Sequence, residues 1–574
     1  MKNILFVFLF FVITVNVAIS QWTSDSTQNT TIYSGSGDQV LTKVALTSDG
    51  GCFISWFDNR GSGYTVRLQR LNAQGIKQFA ADGLVVSSNA QSSSLVDYDM
   101  IADDSNNAVI TFTDVRDGNP IKPYAYKISS TGQFLWGANG ITLWSDGVTN
   151  QPNPKVAQTS DGSYAFIWVY SSSPRRAQMQ KLSRTGDKLW GASGIFISLQ
   201  GSENVDWPKL VASDAGGIIT MYSGYTGSFI SPQNYRIYTQ KFNSSGVSVW
   251  NPTAPDTVYS LGRITGFYNP NIGSDFNNGA VFTWYDDRAS TNTGNPYVQR
   301  VNSAGVKQFP ANGSSGITTG TFLRNQPFSV FVPSTSETYL FWRENNANQS
   351  QSGLYAQKFN SAGVRQWSDD GRVFLPLSTE VVTYIWAGAR DTNIVCVYTQ
   401  QTGGATYVTR ALKTGPSGVV HWRISVASNP SSKTQMNTQI FRSSTGMVVT
   451  GWGDDRAGSS DIFAQNINLN GTLGNPTNIN PLNNIIPDKF NLKQNYPNPF
   501  NPETKINFSI PAKTFVTLKI YSMTGQEVAE LISSDMDAGE YSLNFSGLKL
   551  SSGSYVYRLT AGEFTDSKIM TLIK

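Results

Sequence analysis

The chain has 574 residues, of which 14% are charged and 12% are aromatic, with two Cys and a single His. The formal net charge of +4 is small for this length, and the absence of any Lys/Arg run argues against nucleic-acid or membrane-surface binding, which needs clustered cations. One His and two Cys exclude His-rich zinc sites, Cys-based zinc clusters and a disulfide framework, so no metal and no cofactor are expected.

The first twenty residues have the pattern of a secretory signal peptide. A short positive start precedes the apolar run Ile4–Val15, and small residues lead up to Gln21, so we expect residues 1–20 to be removed by cleavage between Ser20 and Gln21. An N-terminal membrane anchor is the alternative, but about a dozen apolar residues are fewer than the roughly 20 that span a bilayer. The mature chain is therefore expected to be exported and to have no transmembrane segment.

Residues 21–474 contain one unit repeated about eight times. A basic residue followed five positions later by Gly recurs from Arg70/Gly75 to Arg410/Gly415, and an aromatic follows most of these glycines after four residues. About twenty residues before each Gly, an apolar run ends in another aromatic. In four copies this aromatic opens the motif aromatic-x-Asp-x-Arg: Trp56-Asp58-Arg60, Phe112-Asp114-Arg116, Trp284-Asp286-Arg288 and Trp452-Asp454-Arg456.

The pattern within a repeat is one of short strands separated by turns rich in Gly, Asn, Asp and Ser. Repeat one predicts strands at Lys43–Thr47, Cys52–Phe57, Tyr64–Leu71 and Phe79–Val86. Four strands in roughly 55 residues, repeated eight times, indicate a β-propeller, with a β-solenoid as the alternative. The sequence therefore predicts an all-β chain with a seven- or eight-bladed β-propeller, the blade count depending on how residues 21–40 close the ring.

The repeated residues are predicted to be structural. Large aromatics fill the wedge between neighbouring sheets, and a Trp N–H can reach a loop carbonyl. An Asp just after a strand can accept hydrogen bonds from turn amides and pair with Arg. Cys52 and Cys396 lie in apolar, β-branched runs and are predicted to be two unpaired core thiols. Because a catalytic centre is normally a single constellation, no catalytic residue is assigned.

The loop after the motif aromatic is longest in repeat four, where it carries Tyr225, Phe229 and Tyr235. Unequal loops on one rim of a rigid ring are where binding surfaces are usually built. The sequence therefore predicts that this loop contacts a glycan or a surface protein. The alternatives are a secreted glycan-active enzyme, such as a sialidase-like glycosidase, and a structural component of the cell envelope.

Residues 475–489, rich in Asn, Pro and Ile, are predicted to be a linker, and residues 490–574 a separate domain. Alternating apolar and polar residues predict strands at 506–510, 516–522, 540–545 and 555–560 of this domain. Its motif residues are Asn495, Tyr496, Pro497, Asn498, Pro499, Phe500, Gly553, Tyr555, Lys568 and Lys574.

These motifs resemble the C-terminal type A sorting domain of the bacterial type IX secretion system. The resemblance implies a seven-stranded Ig-like β-sandwich that follows the propeller, and export through the periplasm. It also implies that residues 490–574 interact with the secretion machinery of the outer membrane, and that the protein is secreted or held at the cell surface. The alternative is an Ig-like accessory domain that carries no sorting signal, because a fold alone does not determine a function.

Overall fold

The computed structural model describes residues 21–574 apart from 62, 92–96, 117, 119, 230, 262–263, 265–268, 289–292, 321, 442–445, 475–478, 482–486, 537 and 548–549. The predicted signal peptide, with Ser20, and most of the predicted linker lie outside the described residues, which begin at Gln21. The chain divides into two units, Met1–Asn475 and Pro476–Lys574. The described part of the chain is all-β apart from a 3₁₀ turn at Asp214–Gly216, and it contains no helix long and apolar enough to span a membrane.

The described residues of the first unit form eight four-stranded antiparallel sheets, here numbered in chain order. The inner strands of sheets 1 to 8 are Asp38–Leu46, Asp99–Ala102, Lys155–Gln158, Asn204–Ala212, Asn271–Ser274, Arg324–Val332, Val382–Arg390 and Lys433–Ile440. The second strands are Cys52–Asn59, Ala108–Asp114, Tyr164–Tyr170, Ile218–Gly227, Ala280–Asp286, Glu337–Asn345, Asn393–Gly403 and Val448–Asp454. The third strands are Tyr64–Leu71, Lys122–Ile128, Arg176–Leu182, Pro232–Phe242, Asn295–Val301, Ser352–Phe359, Thr406–Thr414 and Asp461–Ile467. The outer strands are Leu84–Gln91, Ile141–Thr142, Ile195–Ile197, Asp256–Tyr259, Ser314–Ser315, Arg372–Ser378, Val420–Ser431 and, in sheet 8, Thr30–Tyr33.

The eight sheets form a closed series. Each inner strand contacts the inner strand of the next sheet, and the inner strand of sheet 8 contacts that of sheet 1. Sheet 8 takes three strands from the end of the unit and its outer strand, Thr30–Tyr33, from the beginning, where Thr30 pairs with Ala464. The first and last segments of the unit are therefore held together in one sheet.

Aromatic wedges link each sheet to the next one. The Trp250 side chain of sheet 4 donates from Nε1 to the carbonyl of Ser303 in sheet 5, at 3.0 Å. Gly305 in that turn has a φ of +83°, and a Cβ there would lie 2.9 Å from the Trp250 ring, so both the conformation and the packing require glycine. Trp136, Trp190 and Trp422 make the same kind of bond to Arg184, Ser244 and Leu469.

The wedge between sheets 8 and 1 is Trp22, which precedes the first repeat. Its amide donates to the carbonyl of Gln74 at 2.9 Å, and a Cβ on Gly75 would lie 2.7 Å from its ring. Trp22 is 3% exposed and belongs to a core cluster with Ile32 and Val44. The eighth copy of the repeat lacks a wedge aromatic of its own, and the N-terminal segment supplies it.

The aromatic-x-Asp-x-Arg motif is buried within each sheet that carries it. In sheet 5, Asp286 is 1% exposed and accepts from Trp284 Nε1 at 2.9 Å, from the Arg288 amide at 2.9 Å and from its guanidinium at 2.7 Å. The guanidinium carbon of Arg288 lies 3.7 Å from the centre of the Tyr297 ring. These contacts hold the turn against its own sheet, as expected of a structural pair. Asp58, Asp114 and Asp454 pair in the same way with Arg60, Arg116 and Arg456.

The predicted fourth strand of repeat one is displaced. The outer strand is Leu84–Gln91, whereas Phe79 lies before it, in the segment held by the Gln69 side chain. Gln69 accepts from the Phe79 amide at 3.0 Å and donates to the Ala80 carbonyl at 2.9 Å. This side chain replaces the backbone ladder, which is why the apolar pattern around Phe79 does not mark a strand.

The second unit contains two four-stranded sheets among its described residues. Buried side chains of both sheets, including Ile506 and Phe508 of one and Leu518 and Leu559 of the other, form a single hydrophobic cluster. In spatial order, the first sheet has the strands Ile479–Pro481, Gly539–Ser546, Glu503–Ile510 and Asn491–Leu492, and the second has Glu527–Met536, Thr514–Ser522, Gly553–Ala561 and Phe564–Leu572.

The strand Ile479–Pro481 lies within the predicted linker. It pairs with Gly539–Ser546, so that Ile479 is opposite Leu543. The unit therefore begins before residue 490, and its described residues form eight strands where the resemblance implies seven. A three-residue strand with Asn and Pro lacks the alternation from which the other strands were predicted.

Both cysteines are free and buried, which confirms the prediction of core thiols. Cys52 is 1% exposed, and burial raises the pKa of its thiol to about 12. Burial also raises the pKa of the Cys396 thiol. Because the thiolate is the nucleophile, both side chains act as apolar core residues rather than as reactive groups.

Candidate functional site

The predicted binding loop lies at the tip of an extended hairpin in sheet 4. The strands Ile218–Gly227 and Pro232–Phe242 have 10 and 11 residues, against seven each for the corresponding strands of sheet 5. The pairing continues to Gly227 and Pro232 beyond a bulge between Gly224 and Thr226. The hairpin of sheet 4 therefore extends the rim on which the second and third strands of the sheets are joined.

Tyr225 and Tyr235 support this hairpin from inside. Each is 3% exposed, and their rings stack with centroids 6.2 Å apart. Tyr225 donates to Asp206 Oδ2 at 3.1 Å, and the hydroxyl groups of Tyr235 and Ser223 are hydrogen-bonded. Burial raises the pKa of both tyrosines, so their hydroxyls are neutral hydrogen-bonding groups.

Phe229 lies beside a cavity of about 200 Å³, called here the inner cavity. Its ring centroid is 5.9 Å from that of Trp207, and the Arg175 guanidinium lies 5.9 Å from the Phe229 ring. Arg175 Nη1 pairs with Asp206 Oδ2 at 2.5 Å. The inner cavity therefore combines two aromatic faces with a buried carboxylate and a guanidinium. Its lining residues are Pro152, Asn153, Val169, Ser171, Arg175, Asp206, Trp207 and Phe229.

A larger cavity of about 550 Å³, called here the outer cavity, is lined by other residues of the same hairpin. Glu203 accepts from Arg236 Nη1 at 3.0 Å and from the Tyr238 hydroxyl at 3.3 Å, and burial raises the pKa of Tyr238. Thr226 and Asn234 line the cavity from the hairpin, with Asn234 Nδ2 donating to Thr226 Oγ1 at 3.1 Å. Both cavities are lined by the segment 203–207 and by the hairpin, which contributes Thr226 and Asn234 to the outer cavity and Phe229 to the inner one.

Trp207 has a φ of +50°, a conformation that non-glycine residues rarely adopt. Leu41, Asn153 and Gln326 have similar φ values near the starts of other inner strands, at +61°, +59° and +51°. This conformation is therefore a recurring property of the inner strands. Sheet 4 differs in placing an indole at this position, next to Phe229.

The candidate site contains residues that the sequence did not indicate. Asp206 is one of several carboxylates in the sequence, but Arg175 comes from sheet 3 and Trp207 precedes the motif aromatic by fifteen positions. Nothing local connects Arg175 with Asp206, which are 31 residues apart. Within the described part of the chain, no group of three or more His, Cys, Asp or Glu side chains could hold a metal ion.

The sorting-domain motif is built around buried Asn495. This side chain is 2% exposed and donates from Nδ2 to Thr504 Oγ1 at 2.9 Å and to the Pro497 carbonyl at 3.1 Å. The Asn495 amide donates to the Tyr557 hydroxyl at 2.8 Å, and that hydroxyl donates to the Lys493 carbonyl. The neighbouring Tyr496 is 80% exposed. The loop is therefore held by buried bonds while it presents a tyrosine to solvent.

The second half of the motif holds the last strand. Asn498 donates to the Ile569 carbonyl at 3.2 Å and accepts from the Thr571 amide at 2.8 Å. Phe500 is 2% exposed, and its amide donates to the Thr571 carbonyl at 2.9 Å. The remaining predicted motif residues lie at the surface or near strand ends: Pro497 and Pro499 are exposed, Gly553 begins a strand, Tyr555 donates to the Ser551 carbonyl, Lys568 is near Asp566 and Lys574 is exposed.

Comparisons with known proteins give a family match for the second unit but none for the first. A family described as the secretion system C-terminal sorting domain matches residues 494–573. No curated protein matches the chain. Solved structures that match the chain include a polysaccharide lyase, an ulvan lyase, at 9% identity over 79% of this chain and 96% of that one, with a TM-score of 0.42. The Dos1 propeller is 9% identical over 80% and 96%, with a TM-score of 0.43. A thermostable family-43 glycoside hydrolase is 12% identical over 61% and 99%, with a TM-score of 0.28.

The match covers the motif residues from Asn495 to Lys568 and ends one residue before Lys574; it includes the buried asparagine and the residues that hold the last strand. It confirms the resemblance that the sequence indicates for this part of the chain. Residues 494–573 are thus a C-terminal sorting domain of the type IX secretion system, which directs the chain to export and to secretion or attachment at the cell surface.

Proposed function

We propose that the first unit is an eight-bladed β-propeller that serves as a glycan-binding module of an exported protein. The ligand would bind at the rim of sheet 4, across the inner and outer cavities. The observation that carries this proposal is the pairing of aromatic and polar groups there: Trp207 and Phe229 in one cavity, Glu203 and Arg236 in the other. The closed series of eight sheets supports the blade count.

The chemistry of the two cavities suits a sugar chain. The faces of Trp207 and Phe229 offer apolar surface for the C–H face of a ring, while carboxylates, guanidinium groups and amides offer hydrogen bonds for hydroxyls. The outer cavity, at about 550 Å³, is within the roughly 300–1,000 Å³ typical of ligand sites. Two cavities lined by residues of one hairpin suit an extended ligand.

The arrangement of the carboxylates favours binding over catalysis. Asp206 accepts hydrogen bonds from Arg175 and Tyr225, and Glu203 accepts them from Arg236 and Tyr238. Each carboxylate is thereby a fixed acceptor, whereas a general acid must donate a proton to the leaving group. We therefore place the glycan-active enzyme second.

In this proposal Phe229 contacts the ligand directly, while Tyr225 and Tyr235 position the hairpin that carries it. The finer assignments of the other regions are also proposals. We propose a domain order of signal peptide, propeller, short connection and Ig-like sorting sandwich, with the connection shorter than residues 475–489 because Ile479–Pro481 pairs in the second unit. The N-terminal signal would deliver the chain to the periplasm.

The test is a glycan-array screen of the mature chain, residues 21–574, run beside general glycosidase and lyase assays. Phe229→Ala should lower the affinity for a glycan hit by about tenfold, since one well-packed aromatic contact is worth roughly 0.5–1.5 kcal/mol beyond its buried area. Phe276→Ala is the matched control, because Phe276 is 47% exposed in the turn between the inner and second strands of sheet 5, at the other end of the strands. An equal loss of glycan affinity in both variants, or no loss in Phe229→Ala, would contradict the proposed binding site. Turnover of the glycan that depends on Asp206 would favour the enzyme.

A further inference from the structure

The eight inner strands place one residue each at the same level around the axis of the ring. This residue is the one paired with the position just before the motif aromatic, as Lys43 is paired with Ser55 next to Trp56. All eight are half-buried, whereas the residues next to them in the strands of sheets 1 to 4, 7 and 8, such as Val44 and Leu210, are buried. They are called here the channel ring. From sheet 1 to sheet 8 its members are Lys43, Asp99, Lys155, Lys209, Asn271, Phe328, Trp386 and Asn437.

The members of the channel ring are equivalent in position but not in chemistry. Sheets 1 to 5 contribute charged and polar side chains, and sheets 6 and 7 contribute Phe328 and Trp386. The two aromatic rings are 6.2 Å apart. In a closed series of eight, sheets 6 and 7 lie across the ring from sheets 2 and 3, so one wall is charged and the opposite wall is aromatic. A purely structural ring would not need this asymmetry.

On the charged wall, most groups are already paired. Asp97 bridges Lys43, at 2.7 Å from Oδ1, and Lys155, which contacts Oδ2. Burial acts against the Asp97 carboxylate, but the two lysines lower its pKa, and Asp97 in turn raises the pKa of Lys155. Asp99 accepts from the amides of Met100 at 3.0 Å and Val156 at 3.1 Å.

Lys209 differs from the other two lysines. Its Nζ donates to two neutral oxygens of sheet 5, the Pro270 carbonyl at 2.9 Å and Asn271 Oδ1 at 3.0 Å. Burial, together with the charge of Lys155, lowers the pKa of Lys209 to about 7. Three lysines face two carboxylates here, so the wall has one surplus cation, and both oxygens of Asp97 are used by the other two lysines.

We propose that the channel ring is a second binding site, which takes a ring-bearing organic anion with its carboxylate on Lys209 and its ring against Phe328 and Trp386. A carboxylate supplies the acceptor charge that Lys209 lacks, and charge-assisted bonds to an ammonium group are stronger than neutral ones. The aromatic wall supplies apolar contact for the remainder of the ligand. This site is separate from the rim cavities, which share none of its residues.

Anion binding at Lys209 should depend on pH in one direction. The amine is protonated below about pH 7 and neutral above it, so a carboxylate should bind more weakly as the pH rises through that value. The other charged groups that act on Lys209 are Lys43, Lys155, Asp97 and Asp99. Asp97 is held ionised by its two lysines, and Lys155 keeps its proton because its pKa is raised. Burial raises the pKa of Asp99 above its usual range, with Lys155 and Lys43 acting in the opposite direction.

The test is calorimetric titration of the mature chain with two acids and their uncharged counterparts: benzoate against benzamide, and glucuronate against glucose. At pH 6 at least one acid should bind about tenfold more tightly than its counterpart, and the preference should fall by about tenfold at pH 9. Lys209→Met should abolish the preference, whereas Lys307→Met, which removes an exposed lysine of sheet 5, should leave it intact. Thermal unfolding checks that both variants fold.

The outcome separates this site from the rim. Phe229→Ala should leave acid binding unchanged, and Lys209→Met should leave binding of a neutral glycan unchanged. If neither acid is preferred over its counterpart, or if the preference survives Lys209→Met, the channel-ring proposal is wrong while the rim proposal stands. The pH dependence in the unmodified chain tests the proposal even if Lys209→Met does not fold.

Discussion

Trp22→Ala tests whether the N-terminal segment closes the ring. The Trp22 side chain is 3% exposed and packs over Gly75 in a core cluster with Ile32 and Val44. Truncating a buried Trp to Ala costs about 3–5 kcal/mol. Its Nε1 has no hydrogen-bond partner among the described residues, so the loss is entirely one of packing. Among the described residues, the strand Thr30–Tyr33 pairs with Asp461–Ile467 alone, so the same loss of stability should appear locally in this strand.

The measurement is hydrogen exchange of backbone amides, because a chain of this size need not unfold in two states. Since about 1.4 kcal/mol is a factor of ten, a loss of about 3 kcal/mol should speed exchange in Thr30–Tyr33 by at least about a hundredfold. Amides of sheets 3 to 5 should be little affected. Trp136→Ala is the matched control: it removes a wedge and its bond to Arg184 between sheets 2 and 3, so its effect should centre there. Unchanged exchange in Thr30–Tyr33 of Trp22→Ala, or equal loss in every sheet, would refute closure by this segment.

Three further predictions follow from buried groups. Asp286→Ala should lower the thermal midpoint, with a loss of about 3–5 kcal/mol, because it leaves the Arg288 guanidinium without its carboxylate partner. Asp391→Asn, at a 75% exposed side chain with a φ of +53° that Asn also tolerates, should change little. Equal effects of the two substitutions would contradict the role assigned to Asp286. Cys52 should resist iodoacetamide at pH 8 in the folded chain, because burial raises the pKa of its thiol to about 12 and little thiolate is present. Mass spectrometry should detect labelling of Cys52 only after denaturation. Rapid labelling of the folded chain would argue against burial of this thiol. Asn495→Ala should destabilise the sorting domain by about 1–3 kcal/mol, because it leaves the buried hydrogen-bond partners of Asn495 unpaired. Tyr496→Ala, at an 80% exposed side chain, should change the stability by no more than about 0.5 kcal/mol. Denaturant titration measures both, and a larger loss in Tyr496→Ala than in Asn495→Ala would contradict the described motif.

Much of the scaffold could be predicted from the sequence because it depends on local, repeated sequence patterns. An apolar run predicts the strand Cys52–Asn59, and alternating residues predict Tyr64–Leu71, nearly to their ends. Most of the recurring glycines have positive φ values in the turns. The buried motif aromatics and the Asp286–Arg288 type of pair also agree with their predicted structural roles. Each of these features depends on residues within a single hairpin, so a short stretch of sequence contains all the residues that determine it.

Ring closure could not be predicted in this way. Trp22 stands outside the repeat, and nothing near it in the sequence shows that it fills the wedge against Gly75 or that Thr30–Tyr33 completes a sheet begun more than 400 residues later. The strand Ile479–Pro481 is a similar case, because its pairing with Gly539–Ser546 and not its composition makes it a strand. Such elements form because an open sheet edge is available to pair with them.

The sequence alone determined that this chain is all-β, that it repeats, and that it carries a sorting domain, because these properties reside in periodicity and in a contiguous motif. Only the tertiary structure decided which side chains share a site. It turned Tyr225 and Tyr235 inward and left Phe229 beside a cavity with Arg175 of another sheet. It also brought eight residues from eight strands to one level of the channel. Sites of this kind join residues that are tens to hundreds of positions apart, and their proximity follows from how the sheets close on one another.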